Sequence, residues 1–333
     1  MPQHETDFFQ QLETDGALSA DKLTALRQPA PQPLFAVHWE LRTILYAGVL
    51  LLSSGLGVLI YKNIDTIGHL TILIAIGVIT LGCFGYCIRL ARPYTNNRQP
   101  SPGLLYDYIL LLGALCLLSF LGYMQYQYNV FGNRYGLATF IPMVILFVSA
   151  YYFDHLGILS LAITNLAAWA GIAITPATLL KDNDFNSESL IFTGIALGVF
   201  LLVLAHFSRT KSVKAHFALT YRNFGTHLLF VSLLAAMFHY ESYFMFWIFP
   251  LAVFAYYTFR EAFREKSFYF MVVLAIYLYI GCGYTVIMLL DKLHFYSLGG
   301  VYLTLIYLII SSIVLIRFLM NTNKKLKADD RLE

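Results

Sequence analysis

The sequence predicts an all-α fold: a polytopic membrane bundle of ten transmembrane helices with a short cytoplasmic helical hairpin at the N-terminus. Three observations predict it. Apolar residues make up 59% of the 333 residues and charged residues only 12%, about half the charged share of a soluble domain. The apolar residues gather into long runs. The number of Lys and Arg residues rises and falls from one connection to the next, in step with those runs.

A hydrocarbon core about 30 Å thick needs roughly 20 apolar residues of helix. Runs of that order lie at 41–61, 67–88, 105–124, 137–153, 156–175, 190–207, 224–240, 242–259, 267–290 and 298–320. A helix satisfies its own backbone hydrogen bonds, and lipid offers no others. Barrel strands would alternate apolar with polar residues, and these runs do not.

Charge sets the orientation. With the N-terminus inside, 18 of the 22 Lys and Arg residues fall on the inner side and four on the outer side. Basic residues accumulate on the cytoplasmic side, so both termini are read as cytoplasmic. The same count protects the two tightest turns, Asp154-His155 and Glu241. Fusing the spans on either side of Glu241 would put Arg260, Arg264 and Lys266 outside.

Residues 1–33 form a separate segment. Asp7 to Leu12 suits a short amphipathic helix, which Asp15-Gly16 breaks. Ser19 is a natural N-cap for a second helix over Ala20 to Arg27, and Pro29, Pro31 and Pro33 end it. The expected division is therefore a hairpin and proline linker (1–33), a membrane domain (34–320) and a basic tail (321–333). Cys83, Cys87, Cys116 and Cys282 all fall inside spans, which suits small packing residues and not a disulfide framework.

The first quarter carries a resemblance. The stretch Gln11 to Leu23 reads as short helix, glycine, leucine, serine and acidic helix. Trp39, Tyr46-Ala47-Gly48 and Gly55-Leu56-Gly57 come next, then Asn63-Ile64-Asp65 and a second span ending Gly82-Cys83-Phe84-Gly85-Tyr86. Over residues 8–90 this resembles the bacterial membrane-protein family called domain of unknown function 2157. The family's short outer turn reads Asn-Trp-Asp, so Ile64 departs from it. The resemblance implies a bacterial inner-membrane protein and carries no activity with it.

Ionisable groups inside a membrane are costly and mark function. None sits in the central third of any expected span. Asp107, Asp154, His155, His206 and His227 gather near cytoplasmic span ends as a polar cluster, although no two of these histidines have ligand spacing on one helix. Asn165 is the most central strong polar group. Outer loop three is aromatic, with Tyr126, Tyr128 and Arg134; tyrosine faces suit a sugar or acyl boundary, and arginine suits an anion. These four form the expected ligand-binding set. Asp182, Asp184, Asn186 and Glu188 alternate like a calcium loop, but Ser187 stands where the turn glycine belongs. Gly194 and Gly198 form a small-xxx-small face, and Pro142 and Pro250 interrupt the fourth and eighth spans.

Three functional classes compete, a membrane-embedded enzyme being the least supported, and two lead. One is a transporter or a lipid- or solute-handling carrier, suggested by span number, interrupted helices and tight turns. The other is a non-enzymatic scaffold or sensor using the N-terminal hairpin to bind a protein partner. No catalytic constellation, metal or cofactor is expected, and the sequence leans away from an enzyme. The expected partners are membrane lipids and not nucleic acid.

Overall fold

The computed structural model describes residues 68–132, 134–174, 188–293 and 298–329, with scattered positions between 43 and 62. The expected N-terminal hairpin and the acidic positions 182–187 lie outside the described residues. The described positions from 43 to 62 are helical. The chain divides into two compact units, residues 1–69 and 70–333. The helical bundle is the second of these units.

From His69 onward, nine α-helices run in order among the described residues: α1 His69–Leu90, α2 Leu104–Tyr128, α3 Tyr135–Phe153, α4 Leu156–Ile174, α5 Glu188–Thr210, α6 Phe217–His239, α7 Phe244–Arg264, α8 Phe268–Lys292 and α9 Leu298–Asp329. One 3-10 turn, Glu241–Tyr243, precedes α7. There is no strand among the described residues. The nine helices match the second to tenth expected spans. Both tight turns are real connections: Asp154 adopts a left-handed φ of 56° and stops α3, and Tyr240 caps α6 ahead of the 3-10 turn. Pro142 and Pro250 lie inside α3 and α7. The helix α9 runs on to Asp329, so the expected tail at 321–333 begins as helix.

Sequential neighbours pack antiparallel. In α1 and α2, Gly77 faces Phe120 and Cys83 faces Gly113. In α3 and α4, Gly136 lies against Trp169 and Ala173. In α7 and α8, Leu251 meets Gly281, and the Lys292 ammonium lies 4.8 Å from the Phe244 ring centroid. In α8 and α9, Tyr279 reaches Ser312 at 3.0 Å. This alternation brings 91–103, 154–155, 211–216 and 265–267 to one end of the bundle. That end is rich in Lys and Arg and is the basic end of the bundle.

Eight of the nine helices are long and apolar enough to cross a membrane; α6 is the exception. It carries Tyr221, Arg222, Asn223, Thr226, His227 and Ser232. Yet α6 is a central helix, packed against α4, α5, α7 and α8. Its Phe217 and Tyr221 belong to one buried apolar cluster with Leu110, Leu146 and Ile158. Its Phe230 and Met237 belong to a second with Phe244 and Met271. Protein covers most of this helix, although Leu219, Val231 and Phe238 are exposed, so its polar groups find partners and its low hydropathy is tolerated. The opposite case is α9, whose apolar core has no buried residue and faces outward.

Candidate functional site

At the basic end, the α3–α4 turn is the anchor. The Asp154 side chain is only 4% exposed. Its Oδ1 contacts Lys214 Nζ at 3.1 Å and His216 Nε2 at 2.6 Å. Its Oδ2 accepts the Gln99 backbone N–H at 2.7 Å. Lys214 is almost fully buried, at 1% exposure, and its ammonium lies 5.0 Å from the Tyr94 ring centroid. The Lys214 backbone also takes a left-handed φ of 49°, with its N–H donated to Asn96 O. Ser208 Oγ contacts the Val213 and Lys214 carbonyls, at 2.8 and 3.0 Å. One carboxylate therefore fastens three connections together: 91–103, 154–155 and 211–216. A buried charge is tolerated when it is both paired and hydrogen-bonded, and Asp154 meets both conditions.

The neighbouring His155 caps α4. Its Nδ1 accepts the Ile158 N–H at 3.2 Å, which puts the ring proton on Nε2. That nitrogen lies 3.8 Å from Asp107 Oδ1, and the same oxygen accepts Ser101 Oγ at 2.6 Å. Burial pushes the imidazole below its ordinary pKa, against the opposing pull of Asp107 and Asp154. Burial thus favours the neutral imidazole, which serves its helix as an acceptor.

Beside this lock, a cleft of about 460 Å³ opens between the basic-end turns of α5, α6 and α7. Leu202, Ala205, Ala218, Leu219 and Tyr257 give it apolar wall, and Arg209, Arg222, Arg264, Glu261 and Glu265 give it charge. Glu265 receives two guanidiniums. Arg209 Nη1 meets Oε1 at 2.5 Å, and Arg222 Nη2 meets Oε2. Arg264 pairs with Glu261 at 2.6 Å. Burial alone would raise the Glu265 carboxyl; hydrogen bonds and charge from Arg222, then Arg209, outweigh it and hold the group below its ordinary value. Arg222 also lies 4.2 Å from the Phe270 ring centroid, so its plane is fixed by stacking as well as by charge.

The structure divides the five expected inner-end residues among three places. Asp107, Asp154 and His155 are neighbours. His206 is exposed on the cleft wall. His227 belongs to a chain joining α6 to α8. There Tyr269 O–H donates to Asn223 Oδ1 at 2.7 Å. With that hydroxyl proton committed, the Tyr269 oxygen accepts from His227 Nε2 at 2.8 Å, and His227 Nδ1 accepts from Tyr277 O–H at 2.8 Å. No metal-ligand group of three or more His, Cys, Asp or Glu residues occurs among the described residues.

At the opposite end, Gln125 organises the connection between α2 and α3. It is 9% exposed, donates to Asn129 Oδ1 and Gly132 O, and accepts the Phe131 N–H. Tyr126 is 84% exposed and Tyr128 46%, and Arg134 is exposed at the N-cap of α3. Asn165 is half-buried, and its amide donates to Leu161 O of its own helix. None of these four residues lines the basic-end cleft.

Lys214, His216, Arg222 and Glu265 carry the two polar networks, yet in the sequence they are only charges to be counted. Their partners lie 43 to 62 residues away, so no local spacing signals them. Residues 10–159 match the model of a family described as predicted membrane protein, DUF2157. That match bears out the resemblance read over residues 8–90. It runs on through α2 and α3 into α4, and so includes Asp107, Asp154 and His155 but neither Lys214 nor the arginines of the cleft. No curated protein and no solved structure matches the chain. Together, the family match and the apolar helices identify an integral membrane protein.

Proposed function

We propose that this protein is a lipid- or solute-handling carrier of the bacterial inner membrane, with its ligand held in the cleft between α5, α6 and α7. The supporting observation is the two-part wall of that cleft. Apolar side chains line one portion and arginine–glutamate pairs another, at the helix ends where acyl chains give way to headgroups. Ligand sites combine an apolar enclosure with a few placed polar groups in this way, and typically in volumes of this order.

The cleft is tested with the full-length protein in lipid nanodiscs, by native mass spectrometry of retained lipid. Ala218→Phe, with Leu219→Trp as a second variant, fills the cleft. Retention should fall about tenfold, equivalent to about 1.4 kcal/mol. Undiminished retention in both folded variants would move the function away from the cleft and favour the scaffold reading.

In this proposal the basic end faces the cytoplasm. The support is the 18-to-4 division of Lys and Arg between the two sides. Single cysteines introduced in the 211–216 connection should resist an impermeant maleimide added to intact cells, whereas cysteines in 129–134 should label. Labelling of 211–216 from outside would reverse the orientation.

A further inference from the structure

We propose that the cleft takes the phosphate of an anionic amphiphile, with Arg209 and Arg264 as mobile clamps on a fixed Arg222. This rests on the reading of the cleft as the ligand site. Three guanidiniums line the cleft against two carboxylates, which leaves an excess of positive charge. The two carboxylates are already engaged by all three arginines. An entering cation would meet guanidiniums on every carboxylate. An entering anion meets a site that already holds its counter-charge.

The three arginines are not equivalent. Arg222 is 13% exposed, bound to Glu265 and stacked on Phe270. Arg209 and Arg264 are 52% and 59% exposed. Ion pairs that open to water contribute little, so these two side chains exchange partners at small cost. Glu265 is shared, so Arg209 can leave it while Arg222 keeps it neutralised. The freed planar fork offers two parallel N–H groups, the geometry that suits phosphate. Apolar wall from Leu202 and Leu219 lies beside the charged groups and suits a ligand whose phosphate carries an alkyl chain. A free phosphate would satisfy the same arginines without using that wall.

The full-length protein in phosphatidylcholine nanodiscs, supplied with a minor fraction of phosphatidylglycerol or phosphatidylethanolamine, provides the test. Native mass spectrometry should show one phosphatidylglycerol retained about tenfold over the other two lipids. The double substitution Arg209→Gln, Arg264→Gln changes only exposed side chains and should remove most of that preference. Glu265→Gln removes the internal competitor and should increase phosphatidylglycerol retention even though it weakens the fold, so loss of binding cannot be confused with loss of structure. Displacement by millimolar inorganic phosphate would assign the site to the phosphate group alone; retention in its presence would assign it to the lipid.

Equal retention of all three lipids by the unsubstituted protein, or an unchanged preference in the double variant, overturns the assignment of an anionic amphiphile. If Ala218→Phe still expels lipid in that case, the cleft remains the ligand site and only its charge preference is wrong. If Ala218→Phe expels nothing, the cleft reading itself fails.

Discussion

Asp154→Asn should destabilise the protein by about 3–5 kcal/mol, the cost of removing one partner from a buried ion pair. Asparagine keeps the shape and tolerates the left-handed backbone at this position, so the substitution isolates the charge. It leaves the Lys214 ammonium at 1% exposure without its carboxylate, and the Tyr94 ring is only a partial substitute. The measurement is thermal or denaturant unfolding of the full-length protein in one detergent. Lys214→Met should cost less, because methionine fills the stem's space and carries no charge. The double substitution should be more stable than Asp154→Asn alone, since it removes the stranded ammonium. If the two single effects simply add, Asp154 and Lys214 are not coupled and their ion pair does not lock the three connections together.

The membrane class and the order of the helices were legible because they depend on local quantities. Run length reports whether a helix spans lipid, and the Lys and Arg count reports which connections share a side. The turn at Asp154-His155 was readable from charge alone, and the structure shows two helices meeting there. The weak point was α6. Its expected span began at residue 224, whereas the helix begins at Phe217. The added two turns carry Tyr221, Arg222 and Asn223, which a hydropathy window reads as the end of a span. Their tolerance depends on α5, α7 and α8 surrounding them, and a window of sequence contains no information about neighbours.

The polar sites show the same limit more sharply. Asp107, Asp154 and His155 share a level of the bundle and are neighbours in it. His206 and His227 fall at that end too but point to different neighbours, because level along the axis does not fix rotation about it. Asp154 was noted for its position, yet what gives it importance is Lys214, on a distant connection. Positive-inside counting treats Lys214 and Lys211 alike. One is buried against a carboxylate and the other is exposed, and only the fold distinguishes them.

Gly198 was legible for a simpler reason: small residues four apart mark a face where helices approach closely. Gly198→Ala should cost about 1–3 kcal/mol, the range for overpacking, and Gly198→Leu more. A Cβ on Gly198 would lie 3.0 Å from the Leu229 backbone nitrogen and 3.1 Å from its Cα. Backbone cannot rotate away, so α5 and α6 would have to separate. Gly225 faces the same contact from the other helix, with its own Cβ position 3.1 Å from Gly198 O. Gly194 differs. Its Cβ position is closest to Ser232 Oγ, and a hydroxyl can turn aside. Gly194→Ala should therefore cost less than Gly198→Ala, with part of the strain offset by alanine's better helix propensity, about 1 kcal/mol. Unfolding in one detergent measures the order, and a Gly194→Ala protein less stable than Gly198→Ala would refute it. The consequence extends to the cleft, because α5 and α6 form two of its three walls and this contact sets their spacing. Gly198→Leu should lower lipid retention in the nanodisc assay even though residue 198 lies outside the cleft lining. Retention equal to that of the unsubstituted protein, alongside reduced stability, would show that the cleft keeps its shape independently of the α5–α6 contact.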